Sequence, residues 1–561
     1  MYNSIEQPDR PERNWLRFFI ALAVLVNFSG LFVTIMAPDA AVYAALSKNM
    51  LLRNNYWELF LEGSEWLDKP HFPFWITAFF FKIFGVHTWS YKLPGILFVL
   101  MGAWYAYRFA REKFNETVAL WSVFIFLTAE HVILSNNDVR AEPFLSGLII
   151  AGIYHFYKAT EARWLSHLVA GSLFAACAAM TKGIFTLIPI GGAVVVHLAL
   201  CRQWKQLFHL KWVLAIILTL VFLSPELYSL WYQFDAHPEK LVFAQKGVSG
   251  IRFFFWDSQF GRFMNTGPIK GKGDVFFFVH TLLWAFLPWS LLMYYAVGRK
   301  IKSAWKRDTE MPAEFYTLGG SLLILLVFSV SKFQLPHYAN IIFPLLAIIT
   351  AQYLPLLSKK ATRFFTLMQY IILVVAIVLV IALQVLYQPA TPSLLLIIVV
   401  VGLFVFLLFL HRWVRTTPFR LLLYRCGLAI VIVNLYLNCF FYPDLLHYQG
   451  GSEAAFYLNT NFPGSAVTNL DPYPNALEFY VNGAYIKKDT TLVKTLDPRS
   501  QHGLWYVSQE ELELMKKYHY RYEVVKELEH HHVTRLTLPF INKSTRSTAL
   551  EKKFIIRVLP Y

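Results

Sequence analysis

EWLDKPHFPFWITAFFFKIFG, residues 65–85, is the stretch whose reading decides the fold. An acidic–basic pair, Asp68 and Lys69, abuts Pro70, and the aromatic run that follows is broken by Lys82 and Gly85. The 15 residues from His71 to Gly85 would reach about 22 Å as a helix, against a hydrocarbon core of about 30 Å. If the run crossed a bilayer, the basic cluster Arg108, Arg111 and Lys113 after the next apolar stretch would fall on the wrong side. The segment is therefore expected to lie as an interfacial or re-entrant helix in the outer leaflet, with Lys69 and Lys82 at headgroup level.

The rest of the chain agrees with a membrane setting. Its 561 residues are 57% hydrophobic and 17% aromatic, with only 15% charged, whereas soluble domains carry about 25% charge. The net charge of +16 sits in short basic clusters between apolar runs. That is the pattern of cytoplasmic loops rather than of a nucleic-acid groove. Four cysteines (Cys177, Cys201, Cys426, Cys439) lack C-x-x-C spacing, which argues against structural disulfides and a cysteine-built metal site. The first apolar run follows Arg10, Arg13 and Arg17 and reads as a signal anchor.

Placing each basic cluster inside predicts an α-helical polytopic membrane protein of about 13 spans, with the N-terminus cytoplasmic. A break is expected at Thr181–Gly183, between two short spans. Residues 1–441 then form the transmembrane domain, with outer loops 37–87 and 231–274. Residues 442–561 are polar and turn-rich, and read as a small α/β domain on the outer, extracytoplasmic face.

On this topology the unusual polar residues gather outside. Asp39 follows the first span, Asp138 with Arg140 and Glu142 follows the third, Arg262 lies in the second loop, and Lys332, His337 and Tyr338 follow the ninth. Carboxylates at membrane depth cost about 2.5–3.5 kcal/mol, so they are functional candidates. Carboxylates and cations beside an aromatic groove suit a lipid with an anionic head, such as a polyprenyl phosphate carrying a sugar. Lysine and arginine would hold the phosphate. Phosphate leaves readily, so one carboxylate to position or deprotonate the acceptor suffices, and direct displacement inverts the sugar carbon. Thr181 and Lys182 are read as helix-end residues at a cavity. The triplet His530–His532 would place only its outer members on one strand face, a poor start for a metal site. A transporter or flippase of a lipid-linked sugar is the alternative; it predicts inverted repeats, which the sequence lacks.

Six segments carry a family resemblance. APDAAVYAALSKNML (37–51), the opening stretch, and KLPGILFVLMGAWYAYRFA (92–110) resemble the start of GT-C membrane glycosyltransferases. The match is to the ArnT-like (aminoarabinose transferase) branch, related to the protein O-mannosyltransferases (glycosyltransferase families 39 and 83). MTKGIFTLIP (180–189), the loop running from Phe253 to Trp289, and SKFQLPHYANIIFPLLA (331–347) resemble later segments of that branch. The resemblance implies a catalytic acidic residue at Asp39 and a second at Asp138. It implies donor-phosphate contacts from Lys69, Arg262, Tyr338 and Tyr43, supported by Asp68, Lys332 and His337, with Asp68 holding Lys69. A divalent metal ion is compatible with it. Further implications are a polyprenyl (undecaprenyl) phosphate sugar donor, an envelope lipid, glycan or protein acceptor, a monomeric state, and residence in a bacterial inner membrane. Ala40, Val42 and His71 depart from the branch's pattern, so the resemblance leaves the sugar and acceptor open.

Overall fold

The computed structural model describes residues 10–161, 164–266, 270–306, 314–390, 393–472, 476–495 and 497–560. Residues 267–269 of the second outer loop therefore lie outside the described residues. Helix α1 (Arg10–Ser29) leads through residues 30–38 into α2 (Asp39–Arg53). A two-residue hairpin, β1 (Phe60–Leu61) with β2 (Ser64–Glu65), precedes α3 (Phe72–Phe84).

α3 starts where Pro73 fits the first helical turn, and it stops at Gly85, whose φ of +82° is open to glycine. Phe74, Ala78 and Phe81 face the protein, while Phe79, Ile83 and Phe84 are exposed. This is an amphipathic helix on the surface of the bundle, as its length requires.

Among the described residues, seven helices are long and apolar enough to cross a membrane. The pair α5 (Glu116–Leu127) and α6 (Glu130–Asn137), bent by 50°, adds an eighth if counted as one span. The expected count of about 13 spans needs shorter or more polar pieces as well. α7 (Ala141–Lys158) is one: it is buried along almost its whole length but carries Glu142, His155 and Lys158. α9 (Leu187–Leu200), parted from the long α8 (Trp164–Lys182) at Gly183, whose φ is +102°, is another. A helix enclosed by other helices needs less apolar surface than one facing lipid.

Close approach holds α7 to α4 (Thr88–Lys113). A Cβ on Gly147 would fall 2.3 Å from the Phe98 carbonyl oxygen, and one on Gly102 would fall 3.1 Å from that of Ser146. Small residues at such crossings let backbones touch where no hydrophobic force drives helices together. Buried Lys92 of α4 donates to the carbonyls of Gly30 (3.0 Å) and Val33 (2.7 Å), satisfying backbone groups past the end of α1.

Beyond the last long helix, Pro418–Tyr448, comes a five-stranded sheet. It comprises β3 (Val467–Asn469), β4 (Tyr485–Lys487), β5 (Gly503–Ser508), β6 (Tyr522–His530) and β7 (Glu551–Val558) in the order β4-β3-β5-β7-β6. β3 runs parallel to β4 and β5; β7 runs antiparallel to β5 and β6. Helix Gln509–Lys517 begins with a capping box between Ser508 and Glu511. β6 ends at His530, so the histidine triplet leaves the strand at once: His530 is buried and accepts from the Gly450 amide, while His531 stacks on Phe540.

Candidate active site

The site begins with two carboxylates and one guanidinium. Asp39 opens α2, Asp138 caps α6, and Arg140 stands just before α7. Arg140 meets Asp39 Oδ2 at 2.6 Å through Nη1 and Asp138 Oδ2 at 2.6 Å through Nη2. The Asp39 side chain is 51% exposed and that of Asp138 20%, so Asp39 is the accessible member. Burial pushes the Asp138 carboxyl up and Arg140 pulls it back, leaving it above the ordinary range. Burial also opposes the charge on Arg140, but Asp138 and then Asp39 outweigh it and hold the guanidinium protonated.

From Arg140 the network runs inward. His337 Nδ1 lies 3.3 Å from Arg140 Nη1, and His337 Nε2 lies 3.8 Å from Glu142 Oε1. Glu142, fully buried, is paired with Lys182 at the end of α8. The Lys182 ammonium stands 3.6 Å from the centre of the Tyr338 ring. Gly183 is what lets the chain stop α8 at Lys182: a Cβ there would collide with the Gln259 amide.

The second half is a pair of cations on one carboxylate, a candidate anion seat. Asp68 Oδ2 lies 2.5 Å from Lys69 Nζ, and Asp68 Oδ1 accepts from Arg262. The lysine and arginine side chains are 14% and 13% exposed. Burial lowers Lys69 to about 8 from its ordinary 10.5, against the opposing pull of Asp39 and Glu142. Burial likewise lowers Arg262, with Tyr338 acting against it. Arg262, Lys182, Tyr338 and Phe333 line one cleft. Tyr43, one helical turn after Asp39, packs edge-on against Phe74 at 5.1 Å, which fixes α2 on α3.

Eight of the nine residues singled out by sequence thus fall into this region. Lys332 does not join the network: its side chain is exposed, and its amide donates to the Phe263 carbonyl. Arg140, Glu142 and Lys182, noticed in the sequence but given no place in the site, are what connect the two halves. His71 has a different job. Its amide and ring contact buried Glu226 at 2.9 and 3.1 Å, tying the start of α3 to the span Trp204–Asp235.

The arrangement does not fit a divalent ion. The positive group between Asp39 and Asp138 is already a guanidinium, and no group of three His, Cys, Asp or Glu side chains suited to a metal occurs among the described residues.

The family described as dolichyl-phosphate-mannose-protein mannosyltransferase matches residues 68–229. The chain is 26% identical over 348 residues to the undecaprenyl phosphate-alpha-4-amino-4-deoxy-L-arabinose arabinosyl transferase of Enterobacter sp. (strain 638), covering 59% of each chain. An uncharacterized protein of Aquifex aeolicus is 26% identical over 361 residues, 63% of this chain and 66% of that one. The alignments thus span less than two thirds of these relatives' lengths. The crystal structure of ArnT from Cupriavidus metallidurans in the apo state superposes with a TM-score of 0.73 at 17% identity, covering 97% of this chain and 98% of the other. The chain has the fold of that ArnT structure. The same ArnT bound to undecaprenyl phosphate superposes with a TM-score of 0.72 at 17% identity and the same coverage.

Proposed function

We propose that the protein is an integral-membrane glycosyltransferase that moves a sugar from a polyprenyl phosphate to a hydroxyl acceptor outside the membrane. The observation that carries this reading is the anion seat. A buried lysine and a buried arginine converge on the single carboxylate of Asp68, and an arginine-bridged pair of carboxylates stands at the other end of the same network. A phosphate offers more acceptor oxygens and more charge than Asp68, so it competes for Lys69 and Arg262.

In the reaction the acceptor oxygen forms a bond to the anomeric carbon as the bond from that carbon to the phosphate oxygen breaks. The electron pair leaves with the polyprenyl phosphate, where Lys69 and Arg262 stabilise the growing charge. The acceptor proton passes to the carboxylate of Asp39, whose side chain is half exposed, while Arg140 fixes the carboxylate's direction. Displacement from the face opposite the phosphate inverts the anomeric carbon. Tyr338 and Lys182 line the cleft beside the seat, and the aromatic surface of α3 runs along the lipid where the prenyl tail lies.

The remaining parts of the reading are about 13 spans with the N-terminus cytoplasmic, a division between residues 1–441 and an extracytoplasmic 442–561, a monomer, and a bacterial inner membrane. The acceptor is a lipid, glycan or protein of the envelope. The deciding experiment measures transfer from radiolabelled undecaprenyl-phosphate sugars in membranes bearing wild type or Asp39→Asn. Transfer by the wild type and its loss in the variant is the expected result. Equal transfer by both removes Asp39 from the mechanism, and uptake into proteoliposomes without conversion turns the reading to a transporter.

A further inference from the structure

Residues 30–38 present a problem that elementary hydrogen bonding makes plain. They form no regular helix or sheet, yet Ile35 and Ala37 are buried. Buried backbone groups need partners. Their partners come from more than 400 positions away. The Gln449 side chain accepts from the Ala37 amide at 2.9 Å through Oε1 and donates to the Ile35 carbonyl at 3.0 Å through Nε2. The Ile35 amide donates to the Tyr480 hydroxyl at 2.9 Å, and that hydroxyl also meets Thr88 Oγ1 at 2.8 Å. One carboxamide thus grips an amide and a carbonyl two residues apart, as a neighbouring strand would, immediately before Asp39.

Gln449 is itself 1% exposed and fixed at both ends. It follows the last span, and its backbone carbonyl accepts from Ser452 and Glu453 at the start of helix Gly450–Asn461. Its Nε2 also donates to Ser452 Oγ. The body of α2 is held from the same direction. Lys48 donates to the carbonyls of Glu478 (3.0 Å), Phe479 (2.9 Å) and Val481 (2.6 Å), and Asn49 donates to the Glu478 carboxylate at 2.9 Å. Three side chains of the C-terminal region, those of Gln449, Glu478 and Tyr480, with the backbone carbonyls of residues 478, 479 and 481, therefore fix the approach to Asp39 and the helix that carries it.

We infer that Gln449 and Tyr480 are positioning residues for the Asp39 carboxylate: the C-terminal region, through these two side chains, sets the distance between Asp39 and the acceptor. Neither side chain touches the anion seat, so their loss acts on turnover and not on capture of the donor. The inference rests on the transferase reading above.

The test compares full-length wild type, Gln449→Met, Tyr480→Phe and a matched control, Gln369→Met, in membranes and in detergent. Gln449→Met keeps the volume and removes the bonds to Ile35 and Ala37 along with that to Ser452; Gln369 is an equally buried glutamine that donates to the Pro288 carbonyl in another part of the bundle. Per folded molecule, turnover by Gln449→Met and Tyr480→Phe falls on the order of 10- to 100-fold, the scale of an ångström of misplacement. The KM for donor stays within about twofold, and the control keeps wild-type turnover. Hydrogen exchange of the amides from residue 35 to residue 43 quickens in Gln449→Met and not in the control. Unchanged turnover, a loss confined to donor KM, or an equal loss in the control overturns the positioning role. If the wild type transfers no sugar from any polyprenyl phosphate, the transferase reading fails. The exchange arm then stands alone: unchanged exchange overturns the clamp, and faster exchange upholds it.

Discussion

Asp68 accepts a hydrogen bond from Arg262, 194 residues away, while its second oxygen meets Lys69 at 2.5 Å. The two cations that suit a phosphate are thereby partly neutralised by a carboxylate of the same chain. Removing that carboxylate leaves two buried positive charges facing the cleft. Asp68→Asn is expected to bind bare undecaprenyl phosphate roughly fivefold more tightly, the scale of one partly exposed ion pair at about 1 kcal/mol. Lys69→Ala is expected to weaken binding sharply. Equilibrium binding in detergent checks both. Weaker binding by Asp68→Asn would mean that the carboxylate aims the cations more than it competes for them.

Lys69 gives the site a pH signature. Burial lowers its ordinary 10.5 to about 8, so the free site is charged below pH 8 and loses that charge above it. An arriving phosphate favours the charged form. Donor affinity should be flat below pH 8 and fall above it, and binding at pH 8.5 should take up a proton. Calorimetry in buffers of different ionisation enthalpy measures that uptake, which Lys69→Met abolishes. For stability the sign is opposite. The unfolded chain holds the proton up to 10.5, so Lys69's contribution rises with pH between about 8 and 10.5.

Arg140 spans Asp39 and Asp138 with two nitrogens of one rigid fork. A lysine has the charge without the fork. Arg140→Lys should therefore lose turnover on the order of 100-fold while donor binding stays within about threefold. Single-turnover transfer beside equilibrium donor binding separates the two effects.

Glu142 and Lys182 form a pair whose carboxylate is 2% exposed. Removing either partner alone strands a charge, at a cost of about 3–5 kcal/mol. Glu142→Gln and Lys182→Met should each lower the unfolding temperature markedly, and the double variant should recover much of the loss. A double-mutant cycle in thermal unfolding reads the coupling.

The proposed topology places Gln501 and Lys360 on opposite sides of the membrane. With the four native cysteines replaced, a membrane-impermeant thiol reagent should label Gln501→Cys in intact spheroplasts and Lys360→Cys only after lysis. Labelling of both, or the reverse order, overturns the orientation.

The membrane character and the surface position of residues 72–84 were legible because both rest on local quantities: apolar length, charge spacing, and a glycine at the end of the run. The break at Gly183 was legible for the same reason. The pairings inside the site were not. That Arg140 joins Asp39 to Asp138, or that Lys182 belongs to Glu142, depends on how α2, α7 and α8 are stacked, and no spacing along the chain encodes it. Lys332 shows the converse error. It sits among site residues in sequence, yet the backbone turns its side chain outward. His71, which departs from the pattern of the branch it resembles, proves to be half of a buried contact with Glu226, a partner 155 positions away.

α3 leaves Phe79, Ile83 and Phe84 bare while its other face is packed against α2 through Phe74 and Tyr43. Those three side chains work as a waterline. On the proposed topology they would ride at the depth where hydrocarbon begins, and Asp68 and Lys69, just before α3, would ride with them. The anion seat would thus be levelled to the bilayer surface itself, at the height of a phosphate tethered to a membrane-bound chain.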